Sequence, residues 1–178
     1  MTDSRKQEIK KLEPKDFPSG FSEIPDPPKK LFLRGTLPKD DTLFLAVVGS
    51  RKCTHYGEEA TRTLITGLAG HPFVIVSGLA LGIDGIAHRS ALEIGLTTIA
   101  IPGSGLDDSV LYPRAHLRLA HDILDSGGAL LSEMEPCEKA APYTFPKRNR
   151  LMAGISKAVL IIEADERSGS LITARLAL

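Results

Sequence analysis

Several features that would assign a chain of 178 residues to a familiar class are scarce or missing. Tryptophan is absent, and the two cysteines, Cys53 and Cys137, lie far apart and outside any C-x-x-C pair. A disulfide framework and a structural zinc site are therefore not expected. No apolar run approaches the roughly 20 residues that span a bilayer, and the N-terminus lacks the apolar segment of a signal peptide. The sequence thus predicts a cytoplasmic protein with no metal and no membrane partner.

Net charge and nucleotide signatures are missing as well. Lys plus Arg and Asp plus Glu number 22 each, which excludes a protein that coats polyanions by bulk charge but leaves a local basic site open. The first glycine loop reads GSRKCTHYG over residues 49–57, which is not G-x-G-x-x-G, and the chain has no G-x-x-x-x-G-K-[ST]. Neither a dinucleotide fingerprint nor a P-loop is present, so no cofactor is expected.

Proline sets the N-terminal part of the chain apart. Residues 1–40 hold six of the twelve prolines. The segment IPDPPKK over residues 24–30 cannot be helical, because each proline disfavours the α region for the residue before it. We predict an extended or partly helical arm over residues 1–30 and a short strand over residues 31–35. The domains are then a Pro-rich arm with its lead-in strand, 1–40, and a core, 41–178.

Five continuous apolar runs predict strands that are buried on both faces, as in a parallel sheet. They cover residues 43–48, 73–77, 97–102, 129–133 and 158–164. Helical stretches alternate with them, near 57–70, 84–94, 115–126 and 147–155 and from 170 to the end. This alternation predicts right-handed crossovers and a doubly wound α/β fold with a mostly parallel sheet. The chain stops inside its last predicted helix with no closing strand, which indicates a core truncated at its C-terminus.

The loops that follow the strands are the candidates for a site, because ligands of open parallel sheets bind beyond the carboxyl ends of the strands. Gly49-Ser50-Arg51 follows the first core strand and combines a serine donor with an arginine fork suited to phosphate. Residues 77–88 follow the second strand. ERSGSL, residues 166–171, places serines at a helix N-terminus, which favours an anion. FPKRNR, residues 145–150, adds a basic cluster.

Each of these loops also has a structural explanation. Glycine after a strand commonly forms a turn, and serine or aspartate before a helix commonly caps it. Asp84 and His88 share a helix face, but a cap and a hydrogen-bonded histidine explain them better than an acid–base pair. Tyr143 and Phe145 are the only candidate platforms for base stacking, and core packing explains Phe145 better. The convergence of several phosphate-compatible loops on one sheet edge favours an anion site nonetheless.

The motifs AVVGSR, VSGLALGIDGIAH, FPKRNR and ERSGSLITARLAL occur in this order and closely resemble the DNA-processing protein A (DprA/Smf) family. The resemblance runs from about Phe17 to Leu178. It implies an extended Rossmann-like fold that binds single-stranded DNA and acts in natural transformation, where members protect incoming strands and help load the RecA recombinase. Single-stranded DNA, a RecA-type recombinase and a second copy of the chain in a homodimer are the implied partners. The resemblance implies no catalytic activity and hence no catalytic residue.

The resemblance also assigns DNA-binding residues, and these fall on the loops described above. They are Gly49, Ser50, Arg51, Ser77, Gly78, Lys147, Arg148, Asn149, Arg150, Ser168, Gly169 and Ser170. With no tryptophan and few other aromatic residues, contacts to phosphate should dominate over base stacking.

Two other functions stay open on the same broad fold. Phosphoribohydrolases that cleave nucleoside monophosphates carry a P-G-G-x-G-T-x-x-E motif, whereas this chain reads PGSGLDD over residues 102–108 and has no glutamate at the required offset. A nucleotide-sensing module would use the same loops without a polymer. Either would bind a mononucleotide, and only the hydrolase would release a free base from AMP.

Overall fold

A computed structural model describes residues 7–38, 42–164 and 168–176, without the side chains of Ile172 and of residues 174–176. The described chain forms one sheet of seven strands covered by helices. The strands are β1 (Lys10–Leu12), β2 (Leu31–Gly35), β3 (Leu43–Gly49), β4 (Phe73–Ser77), β5 (Thr98–Ala100), β6 (Ala129–Ser132) and β7 (Ala158–Ile162). The helices are α1 (His55–Thr66), α2 (Ile83–Glu93), α3 (Leu117–Asp125), α4 (Thr144–Ile155) and α5 (Gly169–Leu176).

The strand order is β1-β2-β6-β5-β4-β3-β7. Neighbours from β6 to β7 are parallel, whereas β2 is antiparallel to β6 and β1 is antiparallel to β2. The predicted doubly wound, mostly parallel α/β fold is confirmed. Strand β1 was not predicted, because its sequence, KKL, offers no apolar run. It pairs only with β2 at the edge of the sheet, and Leu12 alone of its three side chains is partly buried.

Alternating side chains of the buried strands fill a core on each face of the sheet. Ala46 and Val48 of β3 point to the face covered by α4, where Leu151 packs. Val47 points to the opposite face, where Ile65 of α1 and Ile83 of α2 pack. Both faces of β3 are therefore apolar, which is why this strand reads as a continuous hydrophobic run.

The N-terminal arm packs against α4. Phe21 is 1% exposed and belongs to the same core cluster as Leu151. Gly20 lies directly against the Gly154 carbonyl, so that a Cβ atom on Gly20 would overlap it. The division into an arm and a core stays a prediction, and its boundary at residues 40 and 41 lies outside the described residues.

Helix α4 begins at Thr144, three residues before the predicted start. Pro146 obscures this start in the sequence, because proline breaks helix interiors. Proline is tolerated in the first turn of a helix, where its missing N–H has no partner to lose. Lys147 and Arg148 lie inside the helix, where the predicted range also places them, and on different sides of it.

The strand order reverses at β3: β4, β5 and β6 lie on one side of it and β7 lies on the other. The carboxyl ends of β3 and β7 therefore flank a switch point, where open α/β sheets form their ligand crevice. The described part of α5 starts beside it, and its predicted last residues, Ala177 and Leu178, lie outside the described residues. No helix in the described ranges is long and apolar enough to cross a membrane.

Candidate nucleic-acid interface

A cleft of about 300 Å³ opens at the switch point. Its walls come from the loop after β3, the N-terminal half of α4, the end of β7 and the start of α5. Eight of the predicted site residues line it together: Gly49, Ser50, Arg51, Arg148, Asn149, Ser168, Gly169 and Ser170. The predicted convergence of separate loops at one sheet edge thus occurs in the structure.

The loop after β3 is held close to its neighbours by small residues and backbone hydrogen bonds. Gly49 lies against the Ile162 carbonyl, and a side chain there would overlap it. The Ser50 carbonyl accepts a hydrogen bond from the Ile83 N–H, 3.1 Å away. The Ser50 hydroxyl oxygen accepts another from the Lys52 N–H at 3.1 Å. This loop therefore presents Arg51 from a fixed backbone.

Arg51 is exposed, and its guanidinium lies over the ring of Phe145, 4.8 Å from the ring centroid. Such a cation–π contact orients the arginine without neutralising its charge. Phe145 is half-buried and its ring packs against Gly103, where a Cβ atom would come within 2.6 Å of it. Phe145 therefore packs against Gly103, as favoured from the sequence, and it also lines the cleft. Tyr143, 66% exposed, does not line the cleft.

Arg148 is buried beneath the cleft. Its Nη1 donates to the Ile101 carbonyl at 2.5 Å, and the side chain is 6% exposed. The guanidinium passes directly over Gly78, where any Cβ atom would overlap it. Gly78 therefore makes room for Arg148. Its own N–H donates to Asp84 Oδ2 at 3.0 Å and is not available to a ligand.

Ser77 is turned away from the cleft. It is fully buried, and its hydroxyl donates to the Val47 carbonyl of the neighbouring strand at 2.6 Å. The structure therefore does not bring the Ser77–Gly78 turn to the cleft as a pair of donors. Sequence could not show this, because a serine at a strand end reads the same whether it faces a neighbouring strand or solvent.

Two carboxylates accompany the two arginines of the cleft. Burial raises the pKa of Asp84, against the opposing effects of Arg148 and of the N–H groups of Ala80 and Gly78. Burial lowers the pKa of Arg148 to about 10, which leaves it charged at neutral pH. Glu163 accepts hydrogen bonds from the Thr54 hydroxyl and N–H, and these lower its pKa. The sequence indicated Asp84 only as a helix cap or as half of an acid–base pair, and it gave no reason to select Glu163.

Asp84 and His88 have separate structural roles. Asp84 lies inside the first turn of α2 and binds loop N–H groups, so the expectation that it caps the helix was wrong. The hydrogen-bonded histidine is confirmed: His88 Nδ1 lies 2.7 Å from Thr98 Oγ1. Burial lowers the pKa of His88 to about 3.

The start of α5 forms the far wall of the cleft. Ser168 Oγ and Ser170 Oγ lie 2.9 Å apart, and Asn149 Nδ2 donates to the Gly169 carbonyl at 3.0 Å. Asn149 therefore ties α5 to α4. Glu166 and Arg167 of the ERSGSL motif lie outside the described residues.

The remaining two residues of the basic cluster, Lys147 and Arg150, do not line the cleft. They face a separate groove beside the N-terminal arm. Arg150 is 7% exposed, and its Nη2 lies 2.5 Å from Glu133 Oε2. Successive helical residues point about 100° apart, so that four consecutive residues of α4 reach two surfaces. In the described part of the chain, no group of three or more His, Cys, Asp or Glu side chains is arranged to hold a metal ion.

The chain is similar to known proteins in both sequence and fold. The protein Smf of Escherichia coli is 46% identical over 162 residues, which are 91% of this chain and 43% of the relative. The X-ray structure of DprA from Streptococcus pneumoniae superposes with a TM-score of 0.87 at 43% identity, covering 96% of this chain and 60% of that one. A DprA structure from Helicobacter pylori, described for its single-stranded DNA binding mode, gives 0.86 at 38% identity, covering 97% and 77%.

These likenesses extend over nearly the whole chain, which spans about half the length of the curated relatives it matches. The solved structures share the Rossmann-like fold of this chain. The family model described as DNA recombination-mediator protein A matches residues 9–178. The chain belongs to the DNA recombination-mediator protein A family, as its motifs predicted.

Proposed function

We propose that this chain binds single-stranded DNA in the cleft at the β3–β7 switch point. The observation that carries the proposal is the position of Arg51, an exposed arginine fixed over Phe145 at the mouth of a cleft whose floor is a second arginine, Arg148. A phosphate placed between them would meet a guanidinium fork, the type of donor that binds phosphate best. The Helicobacter pylori relative, described for its single-stranded DNA binding mode, supports the same ligand.

Contacts to the sugar–phosphate backbone should supply most of the affinity. The aromatic surface at the cleft is small: Phe145 already carries Arg51 on its ring, and Tyr112 lies at its edge with 5.8 Å between ring centroids. Binding should therefore have weak sequence preference and strong salt dependence.

The biological role follows from the family and forms part of the proposal. The protein would act in the cytoplasm during natural transformation, protect incoming strands, form a homodimer and help load a RecA-type recombinase onto DNA. It would do so without catalysis. Relatives are described as DNA-processing proteins, which supports the role in handling DNA.

The alternative hydrolase is less well supported by the arrangement of acids. In the PGSGLDD segment, Asp108 Oδ1 accepts from Arg34 Nη1 at 2.5 Å, and its Oδ2 lies 2.9 Å from His121 Nε2. Both carboxylate oxygens are thus engaged away from the switch-point cleft. The glutamate of the phosphoribohydrolase motif is absent from this segment, and Asp108 does not take its place at the cleft as a catalytic acid or base.

A titration that compares single-stranded DNA, duplex DNA and AMP at several salt concentrations tests the proposal. For a strand short enough to occupy the cleft alone, Arg51 and Arg148 neutralising one phosphate each should give a slope of log affinity against log salt near −1.4, at about 0.7 per contact. Tighter binding of AMP than of an oligonucleotide would favour a nucleotide sensor. Release of free base from AMP would favour the hydrolase, and either result would contradict the proposal.

A further inference from the structure

A second basic surface lies beside the N-terminal arm, outside the switch-point cleft. It is a shallow groove of about 560 Å³, which we call the arm groove. Five basic residues line it: Lys11, Lys29, Lys30, Lys147 and Arg150. Two acidic residues, Asp26 and Glu133, line it with them. A chain of zero net charge therefore concentrates an excess of positive charge on this surface.

The acidic groups of the arm groove are already neutralised. Arg150 pairs with Glu133 at 2.5 Å and lies 3.4 Å from Asp26. Lys30 pairs with Glu135 at 2.5 Å. Within the described ranges, Lys11, Lys29 and Lys147 take part in no such ion pair. These three are exposed, so the uncompensated charge of the groove is the part that a ligand can reach.

The arm groove lies at the same edge of the sheet as the cleft. Glu133 directly follows β6, and Lys29 and Lys30 directly precede β2, whose start lies beside the end of β6 because the two strands are antiparallel. The cleft lies at the ends of β3 and β7. Three to four strand spacings, about 14–19 Å, separate the two sites along this edge. Helix α4 joins them, with Arg148 in the cleft and Lys147 in the groove.

We propose that the arm groove continues the path of the polynucleotide, so that a strand anchored at Arg51 runs along the carboxyl edge of the sheet and meets Lys147, Lys29 and Lys11. The inference rests on the proposed function and adds a second contact surface to it. A polynucleotide suits the geometry because its charges repeat along an extended chain, as the lysines do along this edge. Pro27 and Pro28 restrict the backbone before Lys29, which limits the entropy lost when the lysine is engaged.

The test compares two lengths of strand against a charge-neutralised groove. The double variant Lys11→Gln with Lys29→Gln removes two exposed charges and leaves the cleft untouched. An oligothymidylate of about 20 nucleotides reaches both surfaces, whereas one of about 3 nucleotides occupies the cleft alone. The matched control is Lys10→Gln with Lys157→Gln, which removes the same charge from the opposite edge: Lys10 lines a recess with Gly35 and Gly128, and Lys157 directly precedes β7.

For the long strand, five contacts predict a wild-type salt slope near −3.5, and the groove variant should be shallower by about 1.4, at about 0.7 per contact. A fourfold decrease in salt would then widen the difference in affinity between the two proteins about sevenfold. For the short strand the two proteins should have the same slope and affinity. The control variant should match the wild type with both strands.

Equal slopes for wild type and groove variant with the long strand would overturn the inference, and an acidic protein segment would become the ligand to test on this surface. An equal loss in the control variant would also overturn it, because the effect would then be one of total charge. Binding of neither strand by the wild type would instead reject the proposed function itself. If the wild type binds the short strand, the proposed function holds even where the groove variant shows no effect. Failure of the arm-groove inference can therefore be told apart from failure of the proposed function.

Discussion

Arg51 is held in place by an aromatic ring, yet no acidic group pairs with it in the described structure. This combination suits a residue that must find a phosphate without first breaking an ion pair. Arg148 is the opposite case: it is buried, donates to Ile101 and shares its surroundings with Asp84. The two arginines should therefore respond differently to substitution.

Arg51→Ala should weaken binding of single-stranded DNA and leave stability unchanged. Loss of one charge-assisted hydrogen bond costs about 1.5–3 kcal/mol, while removal of an exposed side chain from a loop costs little stability. The measurement is an affinity titration paired with a thermal melt. Arg118→Ala on the exposed side of α3 is the control for charge alone. An earlier melt with unchanged DNA affinity would show that Arg51 is structural.

Gly78→Ala tests the space that Arg148 occupies. A methyl group at this position would overlap the guanidinium, so the arginine or the loop must move. Overpacking of a buried site costs about 1–3 kcal/mol, and displacement of Arg148 should also weaken DNA binding. Gly67→Ala is the matched control, since its nearest neighbour would be 3.4 Å away and its backbone is helical. Unchanged stability and affinity in Gly78→Ala would contradict this account.

At the scale of elements, the sequence predicted the parallel core well and its edges less well. Strands β3 to β7 are apolar on both faces and therefore stand out as continuous runs. Strand β1 is only three residues of KKL at an edge, so neither pattern nor burial marks it. The start of α4 was misplaced because proline excludes helix interiors but not first turns.

The candidate site shows the same limit. Sequence located its loops, since residues after parallel strands must meet at one edge. It could not tell which polar groups of those loops are already used. The Ser77 hydroxyl donates to the Val47 carbonyl, and the Gly78 N–H donates to Asp84. Both partners are distant in sequence or set by the fold, so only the structure reveals these hydrogen bonds. The basic cluster of α4 likewise separates into two surfaces because the helix rotates each residue away from the last.

The N-terminal arm should contribute to the stability of the core as an integral element. Phe21 is 1% exposed and packs in the cluster that contains Leu151 and Ile155 of α4. Phe21→Ala should cost about 3–5 kcal/mol, as expected for a fully buried aromatic residue. Phe17→Ala, at a half-buried position of the same arm, should cost less. Denaturant unfolding of both variants measures the difference, and a melt of Phe21→Ala equal to that of wild type would show that the arm is only loosely attached.

At the scale of the whole molecule, zero net charge conceals a local concentration of positive charge. Exposed Arg51, Lys147 and Lys29 lie along the carboxyl edge. Affinity for a polyanion depends on this local arrangement rather than on the total. It follows that added salt should reduce DNA binding steeply while altering stability little, since the exposed lysines have few partners to lose.

The pH dependence of stability should be governed by His88 on the acid side of neutrality. Its pKa is about 3 in the folded chain and about 6.5 in an unfolded one. As pH falls from about 6.5 towards 3, His88 binds a proton in the unfolded chain but not in the native chain. The free energy of unfolding should then decrease by up to about 1.4 kcal/mol per pH unit in this window.

Asp84 has the opposite sign, which allows the two groups to be separated. Its pKa is raised in the folded chain. The fold therefore loses stability at Asp84 as pH rises through that raised value, and it regains this stability on acidification. Unfolding free energies measured between about pH 7 and 4 should therefore fall less steeply in His88→Gln and more steeply in Asp84→Asn. His71→Gln, at an exposed position, should follow the wild type. A histidine signal from His88 that titrates near pH 6.5 in the folded protein, followed by NMR, would refute the assignment, because a desolvated imidazole in contact with Thr98 should stay neutral down to about pH 4.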